Sequence, residues 1–234
     1  DLLEDAWNGT GQFQGTEPIR GFGAVAGVYE EACQIVVRAD SEISTVEELE
    51  GHRVSVGEEE SGTKQNALQI LAAYGLNEKL VEEVSLNYTE AAKELENGSI
   101  DAFFCTAGAQ TAAIANLAQR TGIRFLNVDG AAAARLKKSY PVYDSCIIAA
   151  GTYPGQEEDV STVGVKAVLL ASDSVSAEVV EELTALLFEE QQELDFALPV
   201  ELITEADAAA DGLPVPFHKG AERYYESRGE KSEN

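Results

Sequence analysis

The feature that most constrains the fold is a regular alternation of strand-like and helix-like segments through the middle of the chain. Short apolar and β-branched runs occur at "RVSVG" (53–57), "EEVSL" (82–86), "IDAFFCTAG" (100–108) and "IRFLNV" (123–128). Apolar residues with helical spacing separate these runs at 62–75, 89–98 and 109–121. Strands separated by helices of about 10–15 residues are typical of βαβ units. We therefore predict an α/β fold with parallel-type sheets.

The helical segments of this region also predict which side chains face the core. Gly98 is the last residue of the second segment, and a glycine in this position typically ends a helix. For the first and third segments, the spacing predicts inward-facing side chains at Ala67, Leu68, Ile70, Leu71, Tyr74, Ile114, Leu117 and Ala118.

Two long β-type runs, at 22–40 and 142–171, flank this central region. Such runs indicate strands that cross to a second lobe and return from it. We predict three regions: 1–40 as part of a first lobe with a hinge strand, 41–140 as the central βα ligand-binding lobe, and 141–234 as the return hinge with the remainder of the first lobe. In the last region a helix is predicted at 176–190, with Val179, Val180, Leu183, Leu186 and Leu187 in register.

The charge of the chain restricts its partners. The 42 acidic and 16 basic residues give a net charge of −26. Because no cluster of Lys and Arg is present to neutralise phosphates, we expect neither nucleic acid nor an anionic membrane surface as a partner. No apolar run reaches the roughly 18 residues of a membrane helix. The opening "DLLEDAWNGT" has neither a Met nor the basic segment of a signal peptide.

Few residues suit catalysis or metal binding. Cys33, Cys105 and Cys146 lie far apart in apolar strand-like runs, where a free thiol behaves as a small hydrophobic group. The chain has only two histidines, His52 and His218, and no Cys/His cluster or nucleophile motif. We therefore expect no metal, no cofactor and no catalytic residue.

Two loops could take a ligand. Ser61-Gly62-Thr63 opens a helix directly after the strand "RVSVG", where freed backbone N–H groups and hydroxyls can bind an anion. The segment "CTAGAQT" (105–111) repeats the order of strand, small residues and helix. The alternatives are ordinary helix capping for the first loop and an ordinary strand-to-helix turn for the second. The residues themselves leave both interpretations open.

Two further segments have ambiguous roles. "AWNGTGQF" (6–13) contains the only Trp of the chain, which could wall a cleft or belong to the core. "AAGTYPGQEED" (149–159) places Tyr153 in a Gly-bounded loop, which could be a hinge, the lip of a cleft or a simple turn.

Several stretches, in order along nearly the whole chain, resemble the TAXI-type solute-binding receptors of TRAP-type transporters. They are "WNGTG", "QIVVRADSEISTVEELEGHRVSVG", "SGTKQNALQIL", "GSIDAFFCTAGAQT", "AAGTYPGQEEDVSTVGVKAVLL" and "GLPVPFHKGAERYYESRG". The resemblance implies a periplasmic binding protein-like fold of type II, with two α/β lobes joined by crossing hinge strands. It also implies that the first lobe is N-terminally incomplete in this sequence, because the chain starts late in that lobe.

The resemblance implies a non-enzymatic receptor for a small carboxylated solute, either a glutamate-like amino acid or a dicarboxylate. The receptor would hold the solute between its lobes and deliver it to membrane permease subunits. Its location would be extracytoplasmic, in the periplasm or lipid-anchored on the cell surface, with the signal peptide removed. The ligand-facing positions implied are Ser61, Gly62, Thr63, Thr106, Ala107 and Gly108 in the central lobe, Trp7 and Asn8 in the other lobe, and Tyr143 near the hinge.

Two alternatives to a transport receptor remain. One is an enzyme on a binding-protein-like fold that uses Cys105 in the cleft. The other is a sensor or surface antigen that binds the same ligands without transport.

Three glutamates, Glu58, Glu59 and Glu60, directly precede Ser61. Unit charges about 4 Å apart interact by about 4 kcal/mol at an effective dielectric constant near 20, so three carboxylates in the cleft would oppose an anionic ligand. We expect either that these carboxylates point outward or that the ligand carries a cationic group near them.

Overall fold

The computed structural model describes residues 2–190 and 200–229. In chain order, its helices and strands are α1 (Leu2–Asn8), β1 (Phe22–Arg38), β2 (Arg53–Ser55), α2 (Gly62–Ala73), β3 (Glu82–Val84), α3 (Tyr88–Asn97), β4 (Ala102–Ala107), α4 (Ala112–Arg120), β5 (Ile123–Phe125), α5 (Gly130–Ser139), β6 (Asp144–Ile148), β7 (Val160–Ser172), α6 (Ala177–Glu189), α7 (Ala206–Ala210) and α8 (Lys219–Ser227), with 3₁₀ turns at Gly11–Phe13 and Glu47–Leu49.

The chain divides into two compact units. One unit comprises Glu31–Val165, and the other comprises the residues up to Glu30 and from Lys166 onward. Both boundaries fall inside long strands, β1 and β7, so each of these strands contributes residues to both units.

The sheet of the Glu31–Val165 unit is mixed. Its strand order is β3-β2-β4-β1-β7-β6, and β5 also pairs with β1. Strand β2 runs parallel to β3 and β4, whereas β1 is antiparallel to β4 and β5, and β6 is antiparallel to β7. The predicted α/β fold class is confirmed, but the sheet is mixed rather than parallel, because β1 is antiparallel to β4 and β5, and β6 is antiparallel to β7.

Helices cover both faces of this sheet. On one face, α2 and α5 pack over a core that includes Val54, Ile70 and Leu136. On the other face, α3 and α4 pack over a core that includes Leu95 and Phe103. Alternate residues of β1 and β4 belong to opposite cores, as Val36 and Phe103 differ from Val37 and Phe104. These two strands are therefore buried on both faces and appear in the sequence as continuous apolar runs.

The helices α2 and α3 largely follow the predicted pattern. Asn87 accepts a hydrogen bond from the backbone N–H of Glu90 at 2.9 Å and caps α3. Gly98 ends α3 with a left-handed φ of 74°, which confirms the prediction for that glycine. In α2, Leu68 is 37% exposed and does not face the core as predicted. The buried face of α2 includes Asn66 and Thr63 instead, because polar side chains at these positions find partners inside the unit.

The other unit is built around α6 and α8. Its core includes Val25, Val180, Ala221 and Tyr225, and the Tyr225 hydroxyl donates to the carbonyl oxygen of Val25 at 3.0 Å. The prediction that Val179, Leu183 and Leu186 of α6 lie in the core is wrong, since all three are exposed. The buried face of α6 is formed by Val180 and Thr184, because Gly220 lets α8 approach α6 closely on that side.

Candidate functional site

The two candidate loops open helices at one edge of the sheet. Strands β2 and β4 are hydrogen-bonded neighbours and run parallel, so their carboxyl ends lie at the same edge. The segment after β2 leads into α2, and the segment after β4 leads into α4. The N-termini of α2 and α4, which carry the positive ends of the helix dipoles, therefore follow the carboxyl ends of two adjacent strands.

Ser61 is the N-cap of α2. Its hydroxyl oxygen accepts a hydrogen bond from the backbone N–H of Lys64 at 3.1 Å, while its proton is donated to the carbonyl oxygen of Glu58 at 2.7 Å. Capping by Ser61, the alternative left open by the sequence, is therefore present. In the part of the chain that the structure describes, no partner is found for the backbone N–H groups of Gly62 and Thr63.

Thr111 precedes α4 without capping it through its side chain. Its hydroxyl donates to the carbonyl oxygen of Gly108 at 2.9 Å, and its backbone N–H donates to the Tyr153 hydroxyl at 3.0 Å. Among residues 2–190 and 200–229, the first-turn N–H groups of Ala112 and Ala113 have no partner. Both helices thus begin with unpaired backbone donors, as an anion site requires.

A buried glutamine donates hydrogen bonds to the loop that precedes α4. Gln34 lies in β1 and is 1% exposed; it donates to the carbonyl oxygen of Ala107 at 3.4 Å and to the Thr111 hydroxyl at 3.3 Å. The Tyr153 hydroxyl donates in turn to the side-chain oxygen Oε1 of Gln34 at 2.6 Å. Tyr153, which the sequence left between hinge, lip and turn, is therefore a buried support of this loop.

The two loops share a backbone feature. Within the described residues, Glu60 and Gln110 are the only residues other than glycine with positive φ, at 60° and 67°. Glu60 lies directly before Ser61, the N-cap position of α2, and Gln110 lies directly before Thr111, the N-cap position of α4. Left-handed backbone costs a residue with a side chain about 1–2 kcal/mol, so both loops hold similar strain at the same position.

The loops are also linked through Tyr88. Its hydroxyl lies 2.9 Å from the carbonyl oxygen of Thr106 and 2.5 Å from the hydroxyl of Thr63. Thr106 itself donates its hydroxyl proton toward the Cys33 sulfur at 3.6 Å. The side chains of predicted site residues Thr63 and Thr106 are thus engaged inside the protein, and Ala107 and Gly108 offer only backbone groups.

The three glutamates before α2 are exposed. Glu59 forms an ion pair with Lys64, with the amino group 2.7 Å from the carboxylate, and accepts a hydrogen bond from Ser85 at 2.6 Å. These hydrogen bonds, Lys64 first and Ser85 second, hold the pKa of the Glu59 carboxyl below its ordinary value. The exposure of Glu58, Glu59 and Glu60 supports the expectation that they point outward.

Tyr143, a predicted ligand contact, lies in the interior of the Glu31–Val165 unit. It is 2% exposed, its hydroxyl donates to the Gln69 side-chain oxygen at 2.6 Å, and it accepts from the Asn66 side-chain nitrogen at 2.6 Å. Burial raises the pKa of Tyr143 above its ordinary range. The structure thus gives Tyr143 a packing role, and its contact with a ligand stays a prediction.

Trp7 and Asn8 belong to the other unit. Trp7 lies in α1, edge-on to Phe22 with ring centroids 5.4 Å apart, and the Arg20 guanidinium lies 4.1 Å above its ring. Arg20 also donates to the carbonyl oxygen of Trp7. Asn8, the last residue of α1, is exposed. The proposed ligand contacts of Trp7 and Asn8 stay predictions.

Cys105 does not have the properties of a nucleophile. It is 0% exposed, and burial raises its pKa to about 12. A reactive cysteine needs an accessible thiolate and a lowered pKa, so the enzymatic alternative loses its only candidate residue. Among the residues that the structure describes, no group of three His, Cys, Asp or Glu side chains is placed to hold a metal ion, and no helix is long and apolar enough to cross a membrane.

Sequence reasoning missed Gln34 and Tyr88 as parts of this region, whereas Thr111 lies within the predicted loop 105–111. A lone Gln inside the apolar run "ACQIVV" is the one signal that could have pointed to a buried polar partner. Tyr88 resembles an ordinary first-turn residue in the sequence, and only the tertiary structure brings its hydroxyl to Thr63 and Thr106.

A family model described as the NMT1-like family matches residues 1–229. The chain belongs to the NMT1-like family. This assignment covers both units and both candidate loops of the NMT1-like protein. The family description does not name the TAXI subtype, which therefore stays a prediction.

Solved structures of other proteins are similar to this NMT1-like chain. The periplasmic aliphatic sulphonate-binding protein SsuA from Escherichia coli matches with 18% identity and a TM-score of 0.46, over 89% of this chain and 65% of that one. An ancestral arginine-binding protein bound to arginine matches with 17% identity and a TM-score of 0.39, over 86% and 63%. The substrate-binding protein of an amino acid ABC transporter matches with 16% identity and a TM-score of 0.38, over 74% and 60%. The chain spans less than two thirds of the length of each of these proteins.

Proposed function

We propose that this NMT1-like protein is a solute-binding receptor that takes a small carboxylated solute at the loops opening α2 and α4. The observation that carries this proposal is the pair of helix N-termini at the exits of adjacent parallel strands, each with unpaired first-turn N–H groups. Backbone donors at a helix N-terminus, together with the helix dipole, favour a carboxylate. The solute class is a glutamate-like amino acid or a dicarboxylate.

The internal hydrogen bonds of the loops support this role for the backbone. The hydroxyl protons of Ser61, Thr106 and Thr111 are donated to protein acceptors, so these side chains have none left for a ligand. Gly62 N–H and Ala112 N–H remain as donors at the two helix starts. The left-handed residues before each helix add support, because backbone strain concentrates in ligand-binding loops.

The wider role proposed is that of an extracytoplasmic receptor. It would trap the solute between two lobes and deliver it to the membrane permease of a TRAP-type transporter, as the resemblance to TAXI-type receptors implies. Trp7 and Asn8 would contact the solute from the second lobe, and the solute would favour the closed state by its differential affinity for that state. Membership of the NMT1-like family across residues 1–229 supports a single role for both units.

A thermal-shift panel tests whether the chain binds such solutes. The panel contains L-glutamate, L-glutamine, L-aspartate, 2-oxoglutarate, succinate and malate, with an alkanesulfonate as an anion of different geometry. A ligand at about 100 times its dissociation constant stabilises the folded state by about 2.7 kcal/mol. Because each kcal/mol shifts the midpoint of a chain this size by about 2–4 °C, a bound solute gives a shift of about 5–10 °C. A flat panel counts against the receptor role of this chain.

Proline at the first helical position tests the donors themselves. Gly62→Pro and Ala112→Pro each remove one first-turn N–H, and proline is tolerated there because no helical hydrogen bond is lost. A hydrogen bond to a charged group contributes about 1.5–3 kcal/mol, so affinity for the solute should fall by about tenfold or more. Ala177→Pro, at the first position of α6, is the matched control and should bind as the wild type does.

A further inference from the structure

Tyr88 is the first residue of α3, and its side chain is half-buried against the core under α3 and α4. Burial raises its pKa to about 12, so the phenol keeps its proton at neutral pH. The hydroxyl can therefore donate one hydrogen bond and accept others.

The proton of each hydroxyl in this cluster can be placed from the acceptors. The carbonyl oxygen of Thr106 can only accept, so the Tyr88 hydroxyl donates to it at 2.9 Å. Tyr88 then has no second proton, and the 2.5 Å contact with Thr63 requires the Thr63 hydroxyl to donate to Tyr88. The proton of the Thr63 hydroxyl is thus donated to Tyr88, and only the lone pairs of that hydroxyl remain available to another group.

From this arrangement we infer that Tyr88 is a positioning residue of the proposed solute site, which ties the first turn of α2 to the end of β4 and orients the Thr63 hydroxyl. This inference rests on the proposed function. The ring alone would fill space in the core, but the hydroxyl joins two segments that are 43 residues apart in sequence, from Thr63 to Thr106. The hydroxyl thus adds a side-chain link between the two segments to the pairing of β2 with β4.

The extent of burial supports the inference. Thr63 is 7% exposed, so its hydroxyl needs a partner inside the protein, and among the residues that the structure describes this partner is Tyr88. The contact is short, as expected for a hydroxyl pair in which one member donates onward to a carbonyl group and is thereby polarised. Loss of the Tyr88 hydroxyl leaves the buried Thr63 hydroxyl without this acceptor.

Tyr88→Phe tests the role of the hydroxyl independently of the ring, because it removes the hydrogen bonds to Thr63 and Thr106 and keeps the packing. Tyr74→Phe is the matched control in the same unit. Tyr74 lies at the C-terminal end of α2. Its hydroxyl makes two hydrogen bonds, both with the backbone of Asp129: it accepts from the N–H at 3.0 Å and donates to the carbonyl oxygen at 3.3 Å. Thr63→Val breaks the Tyr88 contact from the other side and serves if Tyr88→Phe does not fold.

The readouts are titration calorimetry with L-glutamate and hydrogen–deuterium exchange of the unliganded protein. For Tyr88→Phe we expect an affinity about tenfold weaker and faster exchange in both segments, 59–66 and 105–111. Tyr74→Phe should change neither. Because Thr63→Val and Tyr88→Phe break the same bond, their effects on affinity should not add in the double variant, whereas independent packing losses would add.

Two results would overturn the inference: an affinity of Tyr88→Phe within about twofold of the wild type, or faster exchange in only one of the two segments. If the wild type binds neither L-glutamate nor any other member of the solute panel, the proposed function fails on that result alone. The exchange experiment then still decides the role of Tyr88, since coupled loosening of both segments supports the tie and uncoupled exchange refutes it.

Discussion

The contact of α6 with α8 depends on Gly220, and the effect of adding one methyl group there can be estimated from the structure. A Cβ atom on Gly220 would lie 2.7 Å from the backbone nitrogen of Glu181 and 2.7 Å from the Cβ of Val180, and closer still to the carbonyl oxygen of Ala177. Ordinary contacts between such atoms are about 3.5–4.0 Å, so α8 must move away by about 1 Å. Two of the three atoms are backbone and cannot rotate out of the way.

Two effects of Gly220→Ala oppose each other. Alanine favours the helix over glycine by about 1 kcal/mol. Overpacking of a well-packed contact costs about 1–3 kcal/mol, and a clash with backbone lies at the upper end of this range. We therefore expect a net destabilisation of about 1–2 kcal/mol, which corresponds to a fall of about 2–8 °C in Tm for a chain of this size.

Trp7 makes the assay selective. It is the only Trp of the chain and belongs to the same unit as Gly220, so urea unfolding followed by Trp fluorescence reports that unit. Gly62→Ala is the control, followed by circular dichroism: it also lies in the first turn of a helix, and a Cβ there meets nothing within 4 Å. It should be neutral or stabilising by up to about 1 kcal/mol. A Gly220→Ala protein as stable as the Gly62→Ala protein would refute the close packing of α6 on α8.

Four further predictions concern a helix cap, a buried hydroxyl and the cysteines. His218 caps α8 by accepting a backbone hydrogen bond at 3.2 Å through Nδ1, so His218→Ala should lose about 1 kcal/mol in thermal unfolding while His218→Asn retains most of it. Tyr143→Phe leaves the buried Asn66 amide without this acceptor and should cost about 1–3 kcal/mol; a variant as stable as the wild type contradicts the contact. The pKa of Cys105 is raised from 9.0 to about 12, so the folded state retains a proton that the unfolded state loses between these values. The contribution of the Cys105 thiol to the free energy of unfolding should be fully present below pH 9.0 and be lost as the pH rises toward 12. Urea unfolding across this range should therefore show a smaller loss of stability in Cys105→Ala than in the wild type. In native thiol labelling, Cys146 should react before Cys105, because only Cys146 is partly exposed.

Much of the central unit could be predicted because its signals are local. The alternation of strand and helix, the left-handed Gly98 at the end of α3 and the cap at Ser61 each depend on residues within a few positions of one another. The same local signals indicated the two helix starts as candidate anion sites. The expectation that nucleic acid is not a partner came from acidity alone, since net charge is independent of fold.

Other features depended on which distant segments pair. Periodicity placed Leu183 in the core, yet the close approach allowed at Gly220 turned the buried face of α6 toward Val180. Hydrophobic spacing predicts that a helix has an apolar face, but it does not predict which element of the fold packs against that face. The sheet is mixed for a similar reason, since strand direction is set by the path of the chain between strands.

The sequence by itself determined the α/β class, the positions of most strands and helices, and the two loops that we propose receive a carboxylate. The tertiary structure decided how those loops are held: Gln34 and Tyr153 support one of them, and Tyr88 joins it to the other. The physical reason is that helix caps and turns form between neighbours in sequence, whereas a buried hydrogen bond needs a donor and an acceptor that only the packed chain brings within 3 Å or so.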